Sequence, residues 1–404
     1  MAKTHSRLIL TAMLTLLPGL VLGAPAKSAG GENKGSLTAT SEWRARMRTL
    51  LGNVVELFPL ALDEKKFTDP GNREKIKGLL SELTRTTKDL ETHTKKSQAK
   101  AGLDPALAYS AGVLNEDLEI ASSLFAAGRS DQARIFLRHS LSQCLGCHTQ
   151  TNEGNHYAFD VFQNSLAKVD PKSKLLALAA TRQFDQALKE FETIIAAPKS
   201  GEQPELSAIE TEQVSRLALS IAVRVKEDPR AAASVIEKIA IAPSASPGFK
   251  KTVEAWRSSV AAWEKEKATA KSLEAARKLI AKAEGEREKG FGAGDVDYLR
   301  ASAILHESLR TDGDPKLQAQ TYSELASVYD NLSGFVFWDL SERYLEACIR
   351  KSPHSPLAKG CFDRYKEDLF VGYTGSSGTD VPALIQKHLA ELKRLAEPKG
   401  LRNE

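Results

Sequence analysis

The sequence predicts an all-α protein, and three observations predict it. Ala, Leu, Glu and Lys, strong helix formers, are plentiful, while aromatic residues make up only 6% of the chain. Apolar residues recur at intervals of three and four through most of its length. Proline and glycine stand in short turn clusters between these periodic stretches. With 404 residues and 42% hydrophobic content, the chain can build two or three domains with real cores. A formal net charge of +4 gives no sign of nucleic-acid or membrane-surface binding.

The first segment reads as a cleaved secretory signal over residues 1–24. Lys3 and Arg7 precede an apolar run, and Gly23, Ala24, Pro25 and Ala26 follow it. Pro18 and Gly19 break the run, which falls short of the roughly 20 apolar residues a membrane span needs. An exported, periplasmic chain with no membrane span after cleavage is therefore expected, with residues 25–40 as a disordered polar lead. Residues 41–160 then read as a bundle of four helices. The first runs over residues 41–57 from a Ser41 cap, with Met47, Leu50, Leu51, Val54 and Phe58 on one stripe, and Pro59 closes it. The second, over residues 74–97, carries Ile76, Leu79, Leu80, Leu83 and Leu90. Asp104 and Pro105 open the third, with Leu107, Leu114 and Leu118. After Gly128 the fourth begins near Asp131, and Leu137, Leu141, Cys144 and His148 share one face.

That face ends in Gln143-Cys144-Leu145-Gly146-Cys147-His148, a CxxCH. In an exported chain this spacing points to one covalently attached haem c. Two thiols on one helical turn can each add to a haem vinyl group, and the following imidazole can coordinate the iron. A redox dithiol would need a βαβ setting, and a zinc site would need a second ligand pair nearby.

Four helices with CxxCH near the end of the last resemble the class II c-type cytochromes, the group that includes cytochrome c-prime. The resemblance covers about residues 38–155. It implies that a methionine near the start of the first helix is the sixth iron ligand in low-spin members, and Met47 stands in that place. Met47 is also the only methionine left once Met1 and Met13 leave with the signal. The alternative is a packing methionine beside a five-coordinate, gas-binding haem. Arg44, Arg46 and Arg48 flank Met47, and at least one is expected at the haem edge, where propionates need cationic partners. Arg134 and Arg138 on the fourth helix are similar candidates. His139, His93 and His156 are the competing sixth ligands: His139 sits on the helix of His148 and cannot reach the opposite face of the ring, while His93 and His156 read first as surface histidines and second as ligands.

Residues 165–397 are helical but organised differently. Small and large apolar residues spaced four then three recur as Ala187/Phe191/Ile194, Ala232/Ile236/Ile239 and Ser341/Leu345/Cys348, each closely followed by a proline. This pattern resembles tetratricopeptide-like repeats, which implies an extended surface for a redox or assembly protein partner. The turn before Ser341 is about three residues longer than the family pattern, and generic helical hairpins are the alternative. Residues 265–289 read as one long charge-dense helix, and residues 290–294 as a flexible turn. Cys348 and Cys361 flank a turn containing Pro353 and are expected to form a disulfide in an oxidising compartment, against the alternative of two buried thiols. The expected activity is one-electron transfer by an electron carrier. A five-coordinate gas sensor and a repeat scaffold for periplasmic assembly are the competing readings.

Overall fold

A capped proline starts helix after helix. Asp104, Asp170, Asp228, Ser246, Asp314 and Ser355 each accept a backbone N–H of the first turn, and a proline occupies the first helical position after each. Proline is suited there because its missing N–H would have had no partner in any case. The computed structural model describes residues 41–101, 104–152, 160–196, 206–267, 270–332, 334–335, 340–376 and 378–398. The expected signal, the lead, His156 and the side chain of Arg44 lie outside what is described.

The fold is all-α. Its first part holds α1 (Ser41–Ala61), the short α2 (Glu64–Thr68), α3 (Arg73–Ala101), α4 (Pro105–Ala126) and α5 (Ser130–His148). The long helices α1, α3, α4 and α5 pack each on the next, and α1 also touches α5. Leu57, Ile76, Leu118 and Leu137 are fully buried between them. After α6 (Asp160–Ser165) come α7 (Pro171–Ala180), α8 (Phe184–Ile195), α9 (Ala208–Ser220), α10 (Pro229–Ala240), α11 (Pro247–Glu264) and α12 (Leu273–Glu286). Then follow α13 (Asp295–Thr311), α14 (Pro315–Asn331), α15 (Leu340–Lys351), α16 (Pro356–Gly372) and α17 (Ala383–Ala396). Sequence neighbours pair off along this array: α7 with α8, α10 with α11, and each of α12 to α16 with its successor. The array returns to the first part, with α7 on α5 and α15 on α4.

Several expectations are corrected in detail. Pro59 does not end the first helix; α1 runs on to Ala61, because Leu57, Phe58 and Ala61 are buried and hold the last turn in place. The helix expected over residues 265–289 does not form in one piece. α11 ends at Glu264, and a new helix starts where the Ser272 side chain accepts from the Ala275 N–H. A charged segment with so thin an apolar seam has little packing to hold it helical across that gap. The turn before α13 is held tightly: at Gly294, φ +93°, an added Cβ would stand 2.6 Å from the Ala283 carbonyl oxygen. In α8 the buried third member of the apolar triplet is Ile195, with Ile194 only half-buried. All members of the other two triplets are buried. The only strands among the described residues are Thr374–Gly375 and Gly378–Thr379, a minimal antiparallel pair. Cys348 and Cys361 form a disulfide, Sγ–Sγ 2.09 Å, tying α15 to α16. Among the described residues no helix is long and apolar enough to cross a membrane.

Candidate cofactor site

α5 carries Leu137 and Leu141 into the core, and the same face delivers Cys144, Cys147 and His148 to a cavity of about 410 Å³. That volume lies within the roughly 300–1,000 Å³ of sites that enclose a cofactor-sized ligand. Opposite α5, α1 contributes Met47, Leu50, Leu51 and Val54, and α4 contributes Leu107, Ala111 and Leu114. These walls are apolar. The other end is polar: the Asp104 carboxylate stands before α4, Gln150 and Thr151 follow α5, Thr181 and Arg182 follow α7, and His306 and Arg310 come from α13. Arg48 is exposed and stands at the rim.

Burial holds both thiols in their neutral form. It pushes Cys144 up to about 11 and Cys147 up to about 12, the latter against a hydrogen bond with Ser110 and with the nearby Asp104 carboxylate adding to the rise. The imidazole is fixed as well. His148 Nδ1 lies 2.6 Å from the Ala180 carbonyl oxygen, which can only accept, so Nδ1 carries the proton and Nε2 the lone pair. Burial, then the nearby Arg182 charge, lower its pKa to about 4, against the pull of the Ala180 carbonyl. A neutral imidazole with its second nitrogen anchored to a carbonyl is the usual state of a metal-ligating histidine.

The donor set fits a covalent haem on these observations. Two neutral thiols, an imidazole with one lone pair and a thioether face one apolar cavity with guanidinium groups at its polar end. Gln143 Oε1 is buried at the wall without a hydrogen-bond partner among the described residues. No group of three or more His, Cys, Asp or Glu among the described residues is arranged to hold a metal ion by side chains alone. Cys144, Cys147 and His148 thus do not form such a cluster.

The sequence-derived arginines divide. Arg48 lines the cavity. Arg46 pairs with Asp89 at 3.0 Å, Arg134 with Glu64 at 2.9 Å, and Arg138 donates to Ser173 Oγ at 3.1 Å; none of the three lines the cavity. Of the other histidines, His139 pairs with Asp117 at 2.8 Å and His93 is half-buried on α3, and neither lines the cavity.

Long-range bonds that no sequence pattern indicated join the polar end of the cavity to the array. Asp104 caps α4, and its carboxylate accepts from Tyr344 Oη at 2.9 Å and from His306 Nδ1 at 2.9 Å. His306 Nε2 accepts from Tyr329 Oη at 2.7 Å, and the same phenol oxygen accepts from the fully buried Arg224 at 2.9 Å. Burial holds the His306 pKa below its ordinary value, in keeping with a neutral ring that donates once and accepts once. Arg310 donates to Thr151 Oγ1 at 2.8 Å. α4 and α5 are thereby bonded to α13, α14 and α15 through side chains that no local pattern connects.

Comparison with known proteins returns no match for this chain, whether among protein-family models, curated proteins or solved structures.

Proposed function

We propose that this protein is an exported, periplasmic monohaem c-type cytochrome, an electron carrier whose first four long helices form a class II-like haem bundle. One observation carries the reading: the CxxCH side chains and Met47, the methionine singled out by the resemblance, line the same cavity. When bound, a c-type haem supplies a one-electron couple at its iron. Everything else falls to the chain. Cys144 and Cys147 would hold the group covalently, each through its sulfur to one of the two haem vinyl groups. His148 offers Nε2 because Ala180 keeps the proton on Nδ1. Met47 offers a thioether from α1 and would serve as the second protein ligand to the iron. The apolar side chains of α1 and α4 exclude water, and guanidinium groups face the end where carboxylates would sit. Arg48 marks the rim at which an electron would enter or leave.

The array from α7 onward belongs to the tetratricopeptide-like pattern in this reading, and it serves twice. Its α7 and α13 residues wall the cavity. Its remaining surface would dock a redox or assembly protein partner. Optical spectra of the purified protein, reduced and then reduced under carbon monoxide, test the assignment. A six-coordinate spectrum unmoved by carbon monoxide is expected. A reduced spectrum that shifts at once on adding the gas would replace the carrier by a five-coordinate gas-binding protein, and the absence of any haem spectrum would end both readings.

A further inference from the structure

The turn that anchors His148 has an unexpected residue at its pivot. α7 ends with two reverse hydrogen bonds, Arg182 N–H to Ala179 O at 3.1 Å and Gln183 N–H to Leu178 O at 2.8 Å. These define a helix terminus whose pivot residue must take a left-handed backbone, normally glycine. The end of α4 shows the ordinary version: Gly128 is at φ +79°, with Gly128 N–H to Phe125 O at 3.0 Å and Arg129 N–H to Leu124 O at 2.9 Å. In α7 the pivot is Arg182, at φ +62°. An arginine in that conformation is strained where a glycine would not be. Glu227 and His354 take the same left-handed backbone at φ +51° and +65°, so it is the contacts of the Arg182 side chain that set this turn apart.

The Arg182 side chain reaches the residue that matters. Its Nη1 donates to the His148 carbonyl at 3.3 Å, and its guanidinium lies 5.3 Å from the centre of the Phe184 ring. It also lines the cavity. The carbonyl of Ala180, two residues before it, accepts from His148 Nδ1 at 2.6 Å. One turn therefore grips His148 twice, at its ring and at its backbone, and sets a permanent positive charge beside it.

We propose that Arg182 is a positioning residue for the His148 imidazole: it locks the turn that orients the His148 ring and would raise the reduction potential of the iron that His148 would hold. A fixed cation near the iron disfavours the oxidised state, which carries one more positive charge, and burial strengthens the effect. The cation comes from outside the four-helix bundle, so the array takes part in tuning the redox centre as well as enclosing it. This inference rests on the c-type cytochrome reading.

The test uses the full-length holoprotein and its Arg182→Gly and Arg182→Lys variants, each followed by optical redox titration and thermal melting. Arg182→Gly removes the charge and the strain together. Its melting midpoint is expected at or above that of the parent, while its reduction equilibrium constant falls about tenfold, equivalent to about 59 mV for one electron. Arg182→Lys keeps the charge and is expected to recover most of that fall. A parent protein without covalent haem would refute the cytochrome reading before any variant is compared. With haem in place, unchanged potentials in both variants would overturn the proposal. So would a lysine variant as low as the glycine one, or a glycine variant with a markedly lower melting midpoint, which would make Arg182 a packing residue.

Discussion

Replacing Asp104 with Ala should be among the most damaging single changes outside the apolar core. Asp104 is nearly buried, its side chain 9% exposed, and it serves three donors from three helices. It caps α4 through the Ala106 N–H at 3.0 Å, and losing a cap of this kind costs about 1 kcal/mol. His306 Nδ1–H and the Tyr344 hydroxyl would each lose an acceptor in the interior, at about 1–3 kcal/mol apiece. The three terms come to roughly 3–7 kcal/mol, of which relaxation around the shortened side chain returns a part, leaving about 4 kcal/mol. That is a large share of the 5–15 kcal/mol by which a typical domain is stable. Asp104→Asn keeps the volume and an accepting oxygen, so it should cost roughly half as much. Urea denaturation followed by circular dichroism measures both. If Asp104→Ala costs under about 1 kcal/mol, or no more than Asp104→Asn, the carboxylate does not tie α4 to α13 and α15.

The remaining expectations concern the ligand, the disulfide and one helix start. Met47→Ala should let carbon monoxide bind the reduced protein at once and should remove the weak sulfur-to-iron band at the red end of the oxidised spectrum; if both spectra stay as in the parent, Met47 is a core residue. Replacing Cys348 and Cys361 together with Ser should cost about 3 kcal/mol from the loop of 13 residues they close, read as a lower urea midpoint. Ser207→Ala should cost about 1 kcal/mol near neutral pH, because the Ser207 hydroxyl and the Glu210 carboxylate cap α9 reciprocally. The backbone and hydroxyl of Ser207, then Lys172, lower the Glu210 pKa to about 2. Its contribution is therefore present above the ordinary carboxylate range of about 4.5 and is lost as pH falls toward 2, so the gap between parent and variant should narrow at about pH 3. A gap that stays constant or widens there would contradict the capping assignment.

The helical class and the position of the cavity-facing stripe were legible because both are written locally. Leu137, Leu141, Cys144 and His148 fall on one face by spacing alone, and α5 places the first two in the core and the last two at the cavity. The capped prolines at Pro105, Pro229 and Pro315 mark helix starts just as locally. Pro59 misled because tertiary burial of Phe58 and Ala61 outweighs the hydrogen bond that a proline forfeits in a last turn. Charge density suggested one helix over residues 265–289, whereas the Ser272 cap decides where α12 begins. Arg182, His306 and Arg310 were illegible for a different reason. His306 meets Asp104 across 202 residues and Arg310 meets Thr151 across 159, and no periodicity carries information over such separations. Among the arginines near Met47, spacing could not separate Arg48, at the rim, from Arg46, which Asp89 draws away.

The central claim is that Cys144 and Cys147 carry a haem, and intact mass under denaturing conditions tests it most directly. The purified protein, exported in cells able to attach haem c, is unfolded in acid, extracted with acetone and weighed. The account predicts a single species equal to the processed chain plus one haem, retained through extraction and lost when Cys144 and Cys147 are both replaced with Ala. A chain that weighs as the bare polypeptide after extraction, with both thiols open to alkylation, would contradict it.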